Sequence, residues 1–288
     1  MDISCTFRSS ARPQRIFFFL LCVKLSVAGL ALWLVGCERN PPPSAESSDS
    51  GMIYIAAAAD LQFALPMIID LFQQDHPEIK VRTTFGSSGN MRTQIAQQAP
   101  YDLFLSADIR YPELLIESGH AKADSLFTYA LGQLVIWVPN NSPLNLENMS
   151  LKDLTDPRVR RIAIANPRHA PYGQAAVAAL RHAGIHDEVA DRLVYGENIA
   201  QAAQFVESGS ADVGIIALAL AIAPQMLERG RYRVIPPGYF PALNQGGAVM
   251  SHARNPEGAM LFRDFLLGPV GKDILTQFGL LEMDASGL

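Results

Sequence analysis

Apolar runs of strand length alternate with segments of helical periodicity along the body of the chain, and this alternation constrains the fold more than any other feature. Met52–Ala59 is a continuous apolar run, typical of a strand buried on both faces. Apolar side chains then recur at helical spacing, with Asp60 as the expected cap of that helix and Pro66 as the expected source of a kink. Further strands are predicted over Ile79–Phe85 and Tyr101–Leu105, with a short helix between them. This order predicts an α/β fold built on a parallel, doubly wound sheet.

A second unit of the same kind follows, which predicts two lobes. Further strands are expected over residues 133–138, 162–165, 212–217, 232–236 and 246–250, and further helices over 173–182, 199–207, 257–267 and 271–278. We expect two crossover strands to join the lobes, near Leu131–Gln133 and near Asn244–Gly247. The expected boundaries are 51–132 for the first part of lobe one, 133–245 for lobe two, and 246–288 for the segment that returns to lobe one.

The N-terminus resembles a bacterial lipoprotein signal. Three arginines precede an almost wholly apolar stretch, residues 16–35, which a glycine separates from Cys37. This pattern predicts removal of residues 1–36 and lipidation of Cys37, while residues 37–50 have the polar, proline-containing composition of a solvated tether. A transmembrane anchor is the alternative, which the charge of Lys24 disfavours. Both interpretations place the folded part outside the cytoplasmic membrane, in the periplasm or at the cell surface.

Composition excludes several classes of function. The three cysteines all lie at or before position 37, so thiol catalysis and cysteine-ligated zinc are excluded for the folded domain. Removal of residues 1–36 takes away four basic residues and one acidic residue, so the formal net charge falls from −5 to −8. Such an acidic body argues against nucleic acid as a partner. We also expect no cofactor. A protein-bound metal ion is not expected either, because Gly184 interrupts the helically spaced pair of possible ligands, His182 and His186.

The turns that lead from strands into helices have the pattern of an anion site. The sequence Phe-Gly-Ser-Ser-Gly, residues 85–89, lies where a predicted strand ends and a helix begins, so its backbone N–H groups and the helix dipole favour a negative charge. It contains no Lys or Arg, which indicates a small oxyanion bound through neutral donors. Similar turns precede other predicted helices, at residues 57–61, 166–173 and 195–199. A hydrogen bond to a charged group contributes about 1.5–3 kcal/mol, so several such donors support tight binding.

In these four turns, and in the strand end Asp-Leu-Phe-Leu-Ser-Ala-Asp at residues 102–108, the chain resembles the molybdate-binding proteins of bacterial ABC importers. The motifs occur in the order and spacing of that family, and the resemblance covers Met52 to the C-terminus. It implies a periplasmic-binding-protein fold whose two lobes close on molybdate or tungstate. It also implies delivery of the anion to a membrane permease and its ATPase. We expect a monomer without enzymatic activity.

Two of the family's ligand positions transfer well to this sequence. The second family serine corresponds to Ser88, with Ser87 beside it. Two backbone donors of the family correspond to Tyr172 and Ile199, where the side chain matters little because the N–H group is the donor.

Two other ligand positions depart from the family pattern. The first family serine corresponds to Asp60, so we expect this residue to cap its helix and to offer the anion only its backbone amide. An inward Asp60 side chain would instead imply a carboxylate ligand to the metal of the anion, or a different substrate. The family's cleft tyrosine corresponds to Ala217, and the hydroxyl of Tyr172 is a candidate replacement.

Two further functions stay open. The closer one is a binding protein for sulfate, thiosulfate or phosphate, because Asp60 is able to accept the proton of a monoprotonated phosphate. The remote one is a serine hydrolase, although the glycines around Ser87 and Ser88 lie too close together for the G-x-S-x-G motif. Arg168 and His169 flank the third turn. They are candidates to lend the site positive charge, but we favour the interpretation that they are surface residues of a helix-entry loop.

Overall fold

A computed structural model of the chain describes residues 51–147 and 149–282. The predicted signal sequence, Cys37 and the predicted tether lie outside these ranges. Within them, no helix is both long enough and apolar enough to span a membrane.

Strands and helices alternate through the described residues. The strands are β1 (Met52–Ala58), β2 (Lys80–Gly86), β3 (Leu103–Ser106), β4 (Phe127–Gly132), β5 (Leu134–Pro139), β6 (Ile162–Ala165), β7 (Leu193–Gly196), β8 (Val213–Ala217), β9 (Gly230–Val234) and β10 (Leu243–Val249). The α-helices are α1 (Ala64–Asp75), α2 (Ser88–Ala96), α3 (Arg110–Glu117), α4 (Pro171–His182), α5 (His186–Val189), α6 (Ile199–Glu207), α7 (Leu218–Ala221), α8 (Pro224–Arg229), α9 (Pro256–Leu267) and α10 (Pro269–Gln277). Short 3-10 turns cover Ala59–Leu61, Ala123–Ser125, Leu151–Thr155 and Ala190–Arg192.

The strands form two five-stranded sheets, one in each lobe. The first sheet has the order β2-β1-β3-β10-β4 and the second the order β7-β6-β8-β5-β9. The chain crosses to the second sheet at Gln133, between β4 and β5, and returns through residues 235–242, between β9 and β10. The predicted two-lobed α/β architecture is therefore confirmed. The return lies earlier than predicted, because Asn244–Gly247 belong to β10 itself.

Both sheets are mixed: the parallel pairing predicted from the first three strands is confirmed, and the strands next to the crossings are antiparallel to their neighbours. β1 pairs in parallel with β2 and β3, and β6 pairs in parallel with β7 and β8. In contrast, β10 is antiparallel to β3 and β4, and β5 is antiparallel to β8 and β9. β5 and β10 arrive directly from the other lobe without a crossover helix, so they enter their sheets against the direction of their neighbours.

The first helix begins later than predicted. Residues 59–61 form a 3-10 turn and α1 starts only at Ala64, so Asp60 does not cap it. Pro66 is the third residue of α1, where its nitrogen owes no intrahelical hydrogen bond, and the predicted kink has no cause there. The turn leaves the side chain of Asp60 free to face away from the helix that follows.

The carboxylate of Asp102 ties three segments of the first lobe together at the start of β3. Its Oδ2 accepts a hydrogen bond from the Tyr54 amide of β1 at 2.7 Å. Its Oδ1 accepts from the amides of Arg254 and Asn255, just before α9, at 2.6 and 3.1 Å. Asp102 is only 1% exposed, so these backbone donors depend on it rather than on solvent. The carboxylate thereby fixes one end of the inner strands β1 and β3, and the predicted anion turns lie at the opposite end of the sheet.

We expect Asp102→Ala to lower the free energy of unfolding by at least about 2 kcal/mol, because buried donors lose a charged acceptor. Asp124, an exposed acidic residue of the same lobe, provides the matched control, and Asp124→Ala should change stability by less than about 0.5 kcal/mol. Urea unfolding followed by circular dichroism measures both values. Equal effects of the two substitutions would contradict the structural role of Asp102.

Candidate functional site

The turns at the carboxyl ends of four strands bring the predicted site residues into the interior, at the boundary between the lobes. Asp60 follows β1, Ser88 opens α2 after β2, Tyr172 lies in the first turn of α4 after β6, and Ile199 opens α6 after β7. Their exposed fractions are 1%, 1%, 2% and 4%, and that of Ser87 is 5%. Ligands of open α/β sheets bind beyond the carboxyl ends of the strands, which is where these residues lie.

A buried hydrogen-bond network connects Asp60 of the first lobe with Tyr172 of the second. The hydroxyl of Tyr172 donates to Asp60 Oδ2 at 2.9 Å. Gln245, on the returning strand β10, donates through Nε2 to the same Oδ2 at 2.6 Å and lies 3.0 Å from Tyr172 Oη. A Cβ atom on Gly132 would lie 2.5 Å from Tyr172 Oη, so glycine is needed beneath the network. Gln245 was not among the predicted site residues.

The expectation that Asp60 caps its helix is wrong. Its side chain points inward because two buried donors on other segments, Tyr172 and Gln245, reach its Oδ2. Its Oδ1, and Oε1 of Gln245, have no hydrogen-bond partner among the described residues. Two buried acceptors are thus left without donors in the middle of the network.

Burial controls the ionisation of this network. Desolvation raises the pKa of Asp60 above its ordinary value of 3.8, and the hydrogen bonds from Gln245 and Tyr172 oppose that rise only in part. The amides of Asp60 and Leu61 also lower this pKa, although neither completes a hydrogen bond to Oδ1. Burial, with the nearby charge of Asp60, raises the pKa values of Tyr172 and Tyr129 well above 10.0. Both phenols are therefore neutral donors at physiological pH.

Ser88 keeps its proton available. Its Oγ accepts a hydrogen bond from the amide of Ala107 at 3.0 Å, which fixes the oxygen against the end of β3. No acceptor for the hydroxyl proton lies among the described residues. Ser88 is therefore an anchored donor of the kind that an oxyanion requires.

His169 bridges the two lobes, so the prediction that it is a surface residue is wrong. Its Nδ1 lies 2.8 Å from Ser87 Oγ, and its carbonyl oxygen accepts from the amide of Gly89 at 2.8 Å. Its Nε2 lies 3.8 Å from Glu197 Oε1, which also accepts from Asn90 Nδ2. The neighbouring Arg168 is exposed, as predicted. We call the side chains of Ser87, Asn90, His169 and Glu197 the latch.

Apolar packing across the boundary shows that the lobes are closed on each other. Ala58, Ala59 and Ala107 of the first lobe belong to the same buried cluster as Tyr172 and Ile199 of the second. Small residues at these positions let the two backbones approach closely.

Ile199 and Ala217 contribute no polar side chain to the site. Ile199 is the first residue of α6, where the Asn198 side chain caps the helix by accepting from the Gln201 amide at 3.0 Å. The first amides of a helix lack acceptors within it, so the Ile199 N–H is suited to an anion. Ala217 is fully buried at the end of β8 and supplies no hydroxyl. The Tyr172 hydroxyl, which the sequence offers as a replacement for the missing hydroxyl at position 217, donates its hydrogen bond to Asp60 instead.

Comparisons with known proteins agree with this architecture. Residues 53–281 match the model of a family described as bacterial extracellular solute-binding protein. The chain is 32% identical over 233 residues to the molybdate-binding protein ModA of Azotobacter vinelandii, which covers 81% of the chain and 91% of the relative. It is 33% identical to the ModA protein of Rhodobacter capsulatus, over 80% of the chain and 88% of the relative. The solved periplasmic molybdate-binding protein of A. vinelandii superposes with a TM-score of 0.75 at 30% identity, covering 81% of this chain and all of that one.

We expect His169→Ala to favour the open arrangement of the lobes, because the side-chain contacts to Ser87 and Glu197 are lost. One or two partly exposed hydrogen bonds correspond to a shift of about three- to ten-fold in the equilibrium between closed and open forms. Small-angle scattering would show it as a larger radius of gyration. His186→Ala, in the second lobe, is the control, since the partner of His186 is its neighbour Asp187. An unchanged radius in His169→Ala would rule out the latch.

We expect Asp60→Asn to change how the stability of the anion-free protein depends on pH. The folded-state pKa of Asp60 is raised, so the folded state holds its proton more firmly and the free energy of unfolding falls as pH rises through that pKa. The amide does not ionise, so the variant should gain stability relative to wild type between about pH 4 and about pH 8. Urea titrations at these two pH values measure the difference. A difference in the free energy of unfolding between the two proteins that is the same at both pH values would contradict the raised pKa of Asp60.

Proposed function

We propose, from the premise that this chain belongs to the bacterial extracellular solute-binding protein family, that it captures molybdate and tungstate between its lobes for an ABC importer. The family and its periplasmic molybdate-binding relatives make it an oxyanion-binding protein of transport. The choice of molybdate is supported by the molybdate-binding relatives together with the site described above, and tungstate is included because the sequence motifs resemble a family that binds both anions.

The observation that carries the proposal is a buried set of neutral donors at the lobe boundary. Ser88 offers a hydroxyl proton, and the helix starts at Tyr172 and Ile199 offer backbone amides. Ser87 adds a second hydroxyl, which the latch holds 2.8 Å from His169. Each hydrogen bond to a charged oxygen contributes about 1.5–3 kcal/mol, so a few of them hold a small dianion without a basic side chain.

We further propose that closure of the lobes signals the loaded state to a membrane permease and its ATPase. The donors are divided between the lobes, so an anion that contacts all of them favours the closed form. Lipidation of Cys37 would keep the protein at the membrane, in the periplasm or at the cell surface. Residues 37–50 would act as a tether that lets the folded domain extend away from the lipid anchor. The protein acts as a monomer in this scheme, because each chain holds both halves of the site.

A second oxyanion class is the main rival, and one observation favours it. Oδ1 of Asp60 is buried and unpaired, so it is able to accept the proton of a monoprotonated phosphate. Sulfate and thiosulfate carry no such proton and would face the same acceptor as molybdate. Competition between these anions and molybdate therefore decides the substrate.

A serine hydrolase is the remote rival. His169 contacts Ser87 through one ring nitrogen and Glu197 through the other, which is the connectivity of a catalytic triad. However, Ser87 lies on one lobe and His169 on the other, and the Gly89 amide, which would be an oxyanion donor, is bonded to the His169 carbonyl. These contacts join the two lobes, and they leave the Gly89 amide unavailable as an oxyanion donor.

Isothermal titration of the purified full chain with molybdate, tungstate, sulfate and phosphate tests the proposal. We expect one-to-one binding of molybdate and tungstate and at least about a hundred-fold weaker binding of the other two. Ser88→Ala should weaken molybdate binding about ten- to a hundred-fold, since one hydrogen bond to a charged oxygen is lost.

Ser118→Ala is the matched control, because that hydroxyl donates only to carbonyl groups of α3 on the outside of the first lobe. It should bind as wild type does. Equal binding of sulfate and molybdate would refute the molybdate assignment, and hydrolysis of an activated ester that Ser87→Ala abolishes would favour the hydrolase.

A further inference from the structure

We propose that Asp60 is a neutral carboxylic acid in the anion-loaded protein and that its Oδ1–H donates a hydrogen bond to the bound oxyanion. The inference rests on the proposed function and deepens it: a fully ionised tetrahedral dianion binds this chain together with one proton. Asp60 thereby serves as the donor at a position where the resembling family has a serine hydroxyl.

The hydrogen bonds to the two carboxyl oxygens are unequal in a way that fits a protonated acid. Oδ2 accepts from both Tyr172 Oη and Gln245 Nε2, at 2.9 and 2.6 Å. Oδ1, equally deep in a residue that is 1% exposed, accepts from no described residue. In a carboxylic acid the carbonyl oxygen accepts and the hydroxyl oxygen donates. Oδ2 therefore has the surroundings of the carbonyl oxygen, and Oδ1 those of the hydroxyl oxygen.

No side chain among the described residues supplies the missing donor, and the amides of Asp60 and Leu61, although close enough to lower the pKa of the carboxyl, complete no hydrogen bond to Oδ1. Tyr172 has one proton, which it gives to Oδ2, and Tyr129 of β4 gives its own to the carbonyl of Ser106 at 3.0 Å. Gln245 presents its amide nitrogen to the network, and its Oε1 is another unpaired acceptor. A proton on Asp60 is then the simplest donor available to an anion that brings only acceptors.

The surroundings also disfavour an ionised Asp60 next to a dianion. Tyr172 from α4 and Tyr129 from β4 are the titratable groups that face it, and both are neutral. The helices α6 and α7 and the strand β2 also pack against the 3-10 turn of Asp60. The buried residues of both helices are wholly apolar, and the end of β2 beside the turn is formed by the uncharged Phe85 and Gly86. His169 contacts Ser87 and Glu197 rather than Asp60. Repulsion between a carboxylate and the anion would have no counter-charge to offset it.

Uptake of a proton on binding determines the direction in which the affinity for the anion changes with pH. A loaded state that holds one more proton than the free state loses affinity as pH rises, by up to ten-fold per pH unit between the Asp60 pKa values of the two states. Asn at this position donates through Nδ2 without a proton from solution. Asp60→Asn should therefore bind with an affinity that does not change with pH through Asp60.

Infrared difference spectroscopy of the purified full chain, recorded as molybdate-loaded wild type minus molybdate-loaded Asp60→Asn, tests the inference directly. We expect the carbonyl stretch of a protonated carboxyl in the loaded wild-type protein and no such band in loaded Asp60→Asn. Titration calorimetry from about pH 6 to about pH 9 should show the affinity of wild type falling with pH where its proton is taken up and that of Asp60→Asn constant. Asp60→Ser, which supplies a hydroxyl, should also bind without the carboxyl band.

The control is Asp156→Asn, on the surface of the second lobe, where Arg158 lowers the pKa of the carboxyl to about 2. Its loaded spectrum should keep the carboxyl band of wild type. Tight molybdate binding by wild type without the band would overturn the inference and leave the proposed function intact. Failure of wild type to bind molybdate or tungstate would overturn the proposed function itself. Binding of phosphate alone, without the band, would show that the ligand brings the proton and Asp60 accepts it.

Discussion

The buried contact between Asp60, Tyr172 and Gln245 is the interaction on which the rest of the site depends. Each residue comes from a different part of the topology: the first turn of lobe one, the first turn of α4 in lobe two, and the strand that returns between them. Such a network is stabilising only when all of its members are in place, because a buried polar group without a partner is costly. The closed arrangement of the lobes satisfies most of these groups at once, and the two acceptors that it leaves over mark the place where a ligand would complete it.

The general architecture follows from local patterns in the sequence, and the main chemistry of the site does so in part. Apolar runs such as Ile162–Ala165 and helical spacing such as Ile199–Glu207 predict the observed elements residue for residue. Ser88 is found at the predicted place because a Gly- and Ser-rich turn between strand and helix is a local signal. Helix α3 escapes prediction although it is amphipathic, because it spans only eight residues and has Pro112 near its start.

The residues that sequence reasoning missed are those whose role comes from distant partners. Gln245 lies in a strand between an asparagine and two glycines, and nothing nearby indicates that a register shift at this point of β10 accompanies its contact with Asp60. Asp60 obeys the local rule for helix caps in sequence, yet two donors more than a hundred residues away determine its orientation. His169 resembles any polar residue of a helix-entry loop until the other lobe is placed against it. In each of these cases tertiary contacts override a local preference.

Gln245 has a further consequence, because it belongs to the strand that follows the second crossing. Gly132 ends the strand before the first crossing, and it lies directly under Tyr172 and Gln245. The two crossings and the network are therefore in contact, so a rotation about the crossings would move Gly132 and Gln245 together with the turns that carry the proposed donors. The two lobes are for this reason not independent of each other. If the second lobe were exchanged for that of a relative, its strand ends would come with it, but the β10 register shift that positions Gln245 against Asp60 would not.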